Sequence, residues 1–243
     1  MTTLLFYKKL IGIDREAHRT TLFKMMENDH EYAKSHYSFP LAVVEFGQAS
    51  LEYPIVFAMD GEGGGMPMAI TGLRENENLF VSENKKWDAA YIPAFVRRYP
   101  FLPQVNENGN DFVLLVDEEF PGFGTPDGER LFTDDGNPSS LLTQTMEFLA
   151  EFHNQEKQSA SFVAKLKELD LLIPQSIDIT LKDSASLTLH GFFIIDHDRL
   201  RALPDATILE LARNGDLAQI YAHLISLGNL QKLVIRLEQK MAT

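Results

Sequence analysis

The sequence predicts an α+β fold, with a mainly antiparallel sheet from the N-terminal part and helices of the C-terminal half packed on it. Three observations carry this reading. Short runs rich in β-branched and aromatic residues, separated by Gly, Asn and Asp, crowd the first half. Apolar residues three or four apart dominate the second half. The two kinds of run do not alternate as βαβ units. A late strand-like run should return to the sheet and tie the chain into one domain over residues 1–243, long enough to bury a sizeable core.

The expected strands are PLAVVEF (40–46), YPIVFAM (53–59), PMAITGL (67–73), NLFVSE (78–83), DFVLLVDEE (111–119) and the late SLTLHGFFII (186–195). DGEGGGM (60–66) joins the second run to the third as a hairpin turn. NPSSLLTQTMEFLAEFHNQ (137–155) reads as a helix, with Asn137 as N-cap and Pro138 in the first helical position. SASFVAKLKELDLL (159–172) repeats the helical spacing through Phe162, Leu166 and Leu169. From Leu217 to Met241 the spacing predicts a long amphipathic helix, bent at Gly228-Asn229. GFGTPDGER (122–130) is the expected surface loop.

Composition excludes several functions. Lys+Arg number 22 against 35 Asp+Glu, a net charge of −13, which repels phosphate backbones and anionic membranes unless a basic patch is concentrated. The basic clusters Lys8-Lys9, Lys85-Lys86 and Arg97-Arg98 are too small for a nucleic-acid groove, so no nucleic-acid partner is expected. The chain has no cysteine, which removes disulfides, thiolate catalysis and cysteine-bound metals. MTTLLFYKKL lacks the layout of a secretory signal, and no uncharged run approaches the ~18 residues of a membrane helix. A cytoplasmic protein without membrane insertion is expected.

Several apparent motifs fail on spacing. DGEGGGM lacks both the third glycine of a dinucleotide loop and a following Lys-Ser/Thr. In HEYAKSH the histidines stand six apart, not the four that let one helix face hold zinc, and read as isolated surface groups. DEEF (117–120) and TDDGN (133–137) do not match a calcium loop; the second reads as a turn before a helix. DHD (196–198) could tune His197 as a base, but a strand-to-helix turn with Asp198 as N-cap explains the same letters. No G-x-S-x-G occurs. No catalytic residue, metal ligand set or cofactor is assigned.

WDAAYIPAFVRRYPF (87–101) is the richest stretch, holding the one tryptophan and an arginine pair. Pro93 starts and Pro100 ends a helix of about two turns. Phe95, Val96 and Tyr99 share the buried side, leaving Ala94, Arg97 and Arg98 on the other, with both guanidiniums projecting from the last turn. A packed helix whose arginines pair with carboxylates is one reading. The other is an anion clamp, with Trp87 or Tyr91 offering an aromatic face.

EFGQASLEYPIVFAMD, ITGLRENENLFVSENKKWDAAYIPAFVRRYPF, GERLFTDDGNPS and GDLAQIYAHLISLGNLQKL together resemble the SapC family of bacterial proteins, collinearly from about residue 18 to residue 233. The positions matching its motifs are Tyr53, Pro54, Trp87, Tyr91, Pro93, Arg97, Arg98, Tyr99, Pro100, Phe101, Leu131, Phe132 and Gly136. The resemblance implies an association with surface-layer systems and brings no catalytic motif. The transporter permease of the same name is a different protein, because this chain lacks its membrane spans.

The expectation is therefore a non-catalytic accessory protein of a surface-layer or uptake system. It would recognise a peptide or small anionic ligand at Trp87, Tyr91, Arg97 and Arg98. One alternative is an enzyme or enzyme partner whose site gathers His190, His197 and His223 with Asp117 or Asp196. Another is an interaction protein that docks a protein partner on an exposed apolar helix face.

Overall fold

The computed structural model describes residues 4–61, 64–105, 112–182 and 186–242. In chain order the first elements are β1 (Leu10–Gly12), β2 (Leu22–Phe23), β3 (Ser38–Pro40), α1 (Phe46–Ala49), β4 (Ile55–Met59) and β5 (Gly65–Ile70). Then come α2 (Ala94–Arg97), β6 (Phe101–Val105), β7 (Phe112–Asp117), β8 (Glu129–Arg130) and α3 (Ser140–Glu168). The chain ends with β9 (Leu172–Thr180), β10 (Ser186–Ile195), α4 (His197–Arg201), α5 (Asp205–Asn214), α6 (Asp216–Ser226) and α7 (Leu230–Met241).

The α+β expectation holds. The largest sheet has the order β3-β5-β4-β10-β9, the second β1-β7-β6, and β2 pairs with β8; every pairing is antiparallel. The late strand does return to the N-terminal sheet, where Phe193 of β10 faces Phe57 of β4. The hairpin between β4 and β5 closes where Asp60 N donates to Gly64 O at 3.0 Å. Its residues 62–63 lie outside the described residues, as does Asp111 at the start of the fifth expected run. The long helix α3 packs on β5 of the larger sheet and on β6 of the smaller one, while α6 covers β4 and β10. One apolar cluster runs through all of this, from Phe6 to Leu237.

Several local expectations are corrected. The run 40–46 is a strand only up to Pro40. It then turns through a 3₁₀ turn at Val43–Glu45 into α1, because the Glu45 carboxylate reaches back to accept Ala42 N at 2.7 Å. The run 78–83 makes one bridge, Val81 to Trp87. There Asn78 accepts Phe80 N with its own side chain (2.9 Å), a local bond that replaces a ladder. The two helices expected over 137–172 are one helix of 29 residues, capped by Ser139, whose hydroxyl accepts Leu142 N, and not by Asn137. Asp196, not Asp198, caps α4. The C-terminal helix is interrupted where expected, by a 3₁₀ turn at Leu227–Asn229.

Candidate functional site

One turn of helix, α2, carries the arginine pair, and a chain of hydrogen bonds holds that turn in place. The Trp87 indole donates to Tyr53 Oη at 2.8 Å, and the Tyr53 hydroxyl donates to the Tyr91 carbonyl. The Tyr91 hydroxyl donates to Glu45 Oε1 (2.6 Å), which also accepts Ala94 N (2.7 Å), the first amide of α2. Glu45 is buried, so these donors and Ala42 N neutralise its desolvation. Burial, and then the bond to Glu45, push the Tyr91 hydroxyl pKa up, so it remains a donor. Replacing Glu45 with Gln turns one acceptor into a donor and leaves a backbone N–H unpaired. The expected cost is about 1–3 kcal/mol, read by urea denaturation.

Phe95 and Val96 are buried as expected, and Tyr99 packs with them. The arginines divide, which corrects the expected geometry. Arg97 is exposed; its Nε donates to Ile92 O at 3.0 Å, and its guanidinium lies 5.3 Å from the Phe148 ring centre and 5.9 Å from that of Tyr91. Arg98 is only 2% exposed. The one-turn helix points it under α3, where it stacks 3.9 Å from the Phe95 ring centre and 5.2 Å from that of Phe152. Its Nε and Nη2 are buried without a hydrogen-bond partner among the described residues. Neither guanidinium forms an ion pair with a described carboxylate. The charge is felt nearby: burial raises the Tyr7 hydroxyl to about 12 and raises the Glu156 carboxyl, each against the pull of Arg98.

The second wall is the start of α3. Leu131 and Phe132 are buried, and Thr133 to Asn137 form the expected turn, with Gly136 at φ 76°. Arg19 donates to the Asp134 carbonyl (2.6 Å) and Arg15 to that of Asp135 (2.9 Å). A side chain at Gly136 would meet the Arg15 guanidinium at 2.6 Å, so glycine answers both the backbone angle and the space. This turn sets Ser139 and the first turn of α3 opposite α2. Between them lies a cleft of about 470 Å³ lined by Met25, Arg97, Arg98, Phe101, Glu129, Ser140, Leu141, Gln144, Thr145 and Phe148. A second cleft of about 370 Å³ shares Met25 and Arg97 and continues to Met26, His30, Tyr32, Ile92, Tyr99 and Phe120. A helix start and two arginines without carboxylate partners make the first cleft a place for negative charge.

The four expected ligand contacts thus separate. Arg97 and Arg98 line the first cleft, Tyr91 lies behind Arg97, and Trp87, 9% exposed, lines neither cleft. The indole packs on Phe80, Tyr53 and Phe39 and serves the bond chain. Glu45, Gln144, Thr145 and Phe148 were missed by sequence reasoning: Glu45 sat in a run read as strand, and Phe148 in a stripe read as core.

The histidine and aspartate alternative is not assembled. His223 is buried and its Nε2 accepts Ile195 N (3.1 Å), His190 and His197 are exposed, and Asp196 caps α4. Asp117 spends its oxygens on Lys8 N, Lys9 N, Glu119 N and the Tyr99 hydroxyl. Among the described residues no three His, Asp or Glu side chains could share a metal ion. His30 and His36 are half-buried against Trp87 and Phe6, not isolated on the surface. No helix among the described residues is long and apolar enough to cross a membrane.

The sequence model of the SapC family matches residues 13–233. No curated protein and no solved structure matches the chain.

Proposed function

The chain belongs to the SapC family, and from that premise we propose that it is a non-catalytic binding protein whose cleft between α2 and α3 takes a peptide or small anionic ligand on Arg98 and Arg97. The observation that carries this reading is Arg98 itself. A guanidinium buried to this degree is ordinarily paired, because leaving it unpaired costs several kcal/mol. Here two of its nitrogens lack partners beside an open cleft, in a chain with a large excess of carboxylates. An incoming anion would supply the missing acceptors at the point where the first turn of α3 also favours negative charge.

The motif segments support the same reading. Tyr53, Trp87, Tyr91 and Pro93 fix α2, while Leu131, Phe132 and Gly136 fix the start of α3, so both converge on the cleft. In this proposal the aromatic residues position the arginines and make no contact with the ligand. The proposal keeps the cytoplasmic, accessory role in a surface-layer or uptake system, which rests on the sequence reading and the family resemblance.

Arg98→Met tests it, since the thioether keeps the stacked stem and removes the charge. The unliganded variant is expected to be more stable than the parent by about 1–3 kcal/mol, because an unpaired buried charge is gone. Thermal stabilisation by phosphate or by a short peptide acid, present in the parent, should vanish. A variant that fails to fold, or that is stabilised by these anions as the parent is, would remove the proposal.

A further inference from the structure

We infer that Phe148 of α3 is a positioning residue of the anion site, restraining the Arg97 guanidinium over its ring where a carboxylate would otherwise do so; this rests on the reading of the cleft just given and deepens it. Consecutive residues of a helical turn point about 100° apart, so α2 by itself sends Arg97 and Arg98 in different directions. Two rings of α3 gather them. Phe148 and Phe152 stand four residues apart, on one face of that helix. Arg97 Cζ lies 5.3 Å from the Phe148 ring centre, and Arg98 Cζ lies 5.2 Å from that of Phe152. A second ring comes from the arginines' own segment, Tyr91 at 5.9 Å from Arg97 and Phe95 at 3.9 Å from Arg98.

Holding an arginine by a ring differs in consequence from holding it by a carboxylate. Arg130, Arg199 and Arg236 pair with Asp134, Asp170 and Asp88, and those carboxylates occupy N–H donors and offset the charge. Arg236 makes the comparison direct, because it lies 4.3 Å from the Phe80 ring centre and is paired all the same. A ring attracts the cation through its quadrupole and leaves the positive charge unneutralised. At Arg97, Nε goes to Ile92 O at 3.0 Å and no described carboxylate forms an ion pair, so the charge is kept for the cleft while the side chain is restrained. An arginine restrained before its ligand arrives loses less freedom on binding, which tightens the complex. Phe148 itself lines the cleft, so the restraint sits at the site it serves. Phe152 is buried in the core, where packing and positioning act together; Phe148 is only half-buried, and there the two can be told apart.

The test compares Phe148→Leu, which keeps apolar bulk without a ring, with Phe148→Tyr, which keeps the ring. Inorganic phosphate and N-acetyl-trialanine, a peptide acid with a single charge, are titrated calorimetrically into the full chain. Urea denaturation gives the stability of each variant, and nitrogen relaxation at Arg97 Nε gives the order of that side chain without ligand. Phe148→Leu is expected to lower the order at Arg97 and to weaken anion binding about three- to tenfold, the range that ordering one arginine side chain represents. Phe148→Tyr should match the parent in both. If the leucine variant folds and leaves either the order at Arg97 or the affinity unchanged, Phe148 returns to plain packing and the inference falls, while anion binding by the parent leaves the reading of the cleft standing. A loss that tyrosine does not restore overturns the inference as well. Should Phe148→Leu fail to fold, Phe148→Met carries the same comparison. If neither anion binds the parent, both the inference and the underlying reading are lost.

Discussion

Asp117→Ala is expected to destabilise the protein by about 3–5 kcal/mol, the range in which a buried charged acceptor leaves several donors stranded. Asp117 is fully buried at the end of β7 and forms no ion pair among the described residues. Its stabilisation comes from four donors: Lys9 N (3.0 Å) and Glu119 N (3.2 Å) on Oδ1, Lys8 N (3.0 Å) and the Tyr99 hydroxyl (3.1 Å) on Oδ2. Three of these are backbone amides with no rotor to turn elsewhere. Alanine strands them all. Asparagine keeps one oxygen, and Tyr99 can rotate to accept from its amide, so Asp117→Asn should cost less, about 1–3 kcal/mol. Equal losses in the two variants, measured by urea denaturation, would mean that the site reads charge alone. Because Tyr99 directly follows Arg98, the alanine variant should also loosen the arginine pair and weaken anion binding in whatever folded fraction remains.

Acid should unfold the protein through His223. This imidazole is fully buried, and because Ile195 N donates to Nε2, the neutral ring carries its proton on Nδ1, which has no partner. Burial lowers its pKa from 6.5 to about 4. Between those values the unfolded chain binds a proton that the folded chain refuses. Stability from this group is therefore complete above pH 6.5 and is lost as the pH falls toward 4. At ~1.4 kcal/mol for each pH unit of that window, the loss is on the order of 3 kcal/mol. His30, His36 and His153 are lowered by burial as well and add in the same direction. His223→Gln keeps an acceptor for Ile195 N and removes the titration, so its stability should fall less steeply over this window. An unchanged slope would transfer the acid sensitivity to the other histidines.

Strand composition and helical period made the architecture legible: β4, β5, β7, β10, α6 and α7 lie where the apolar spacing puts them, while α5 was not expected. What escaped was decided by side chains acting on distant or neighbouring backbone. Glu45 turned an apparent strand into a helical turn, and Asn78 kept 78–83 from pairing as a strand with a bond to Phe80 N. β6 (FLPQV) and β9 (LIPQSIDIT) each contain a proline, Pro103 and Pro174, which obscures a strand pattern although antiparallel pairing tolerates it at positions that need no donor. The cleft was half legible. The arginine pair stood out in the letters, but which arginine is buried depends on α3, which lies forty residues further along and contributes Phe148 and Phe152.

The length of α3 has a bearing on how anything could enter. At ~1.5 Å per residue its 29 residues make a rod of about 43 Å, seated on both larger sheets, with Lys165 near its far end paired to Glu210 of α5 at 2.6 Å. Such a beam does not swing at one tip without lifting off everything beneath it. The mouth beside Ser140 is therefore set before any guest arrives. Selection at this entrance would work by shape and sign at first contact, with little reshaping afterwards and little ordering entropy to overcome.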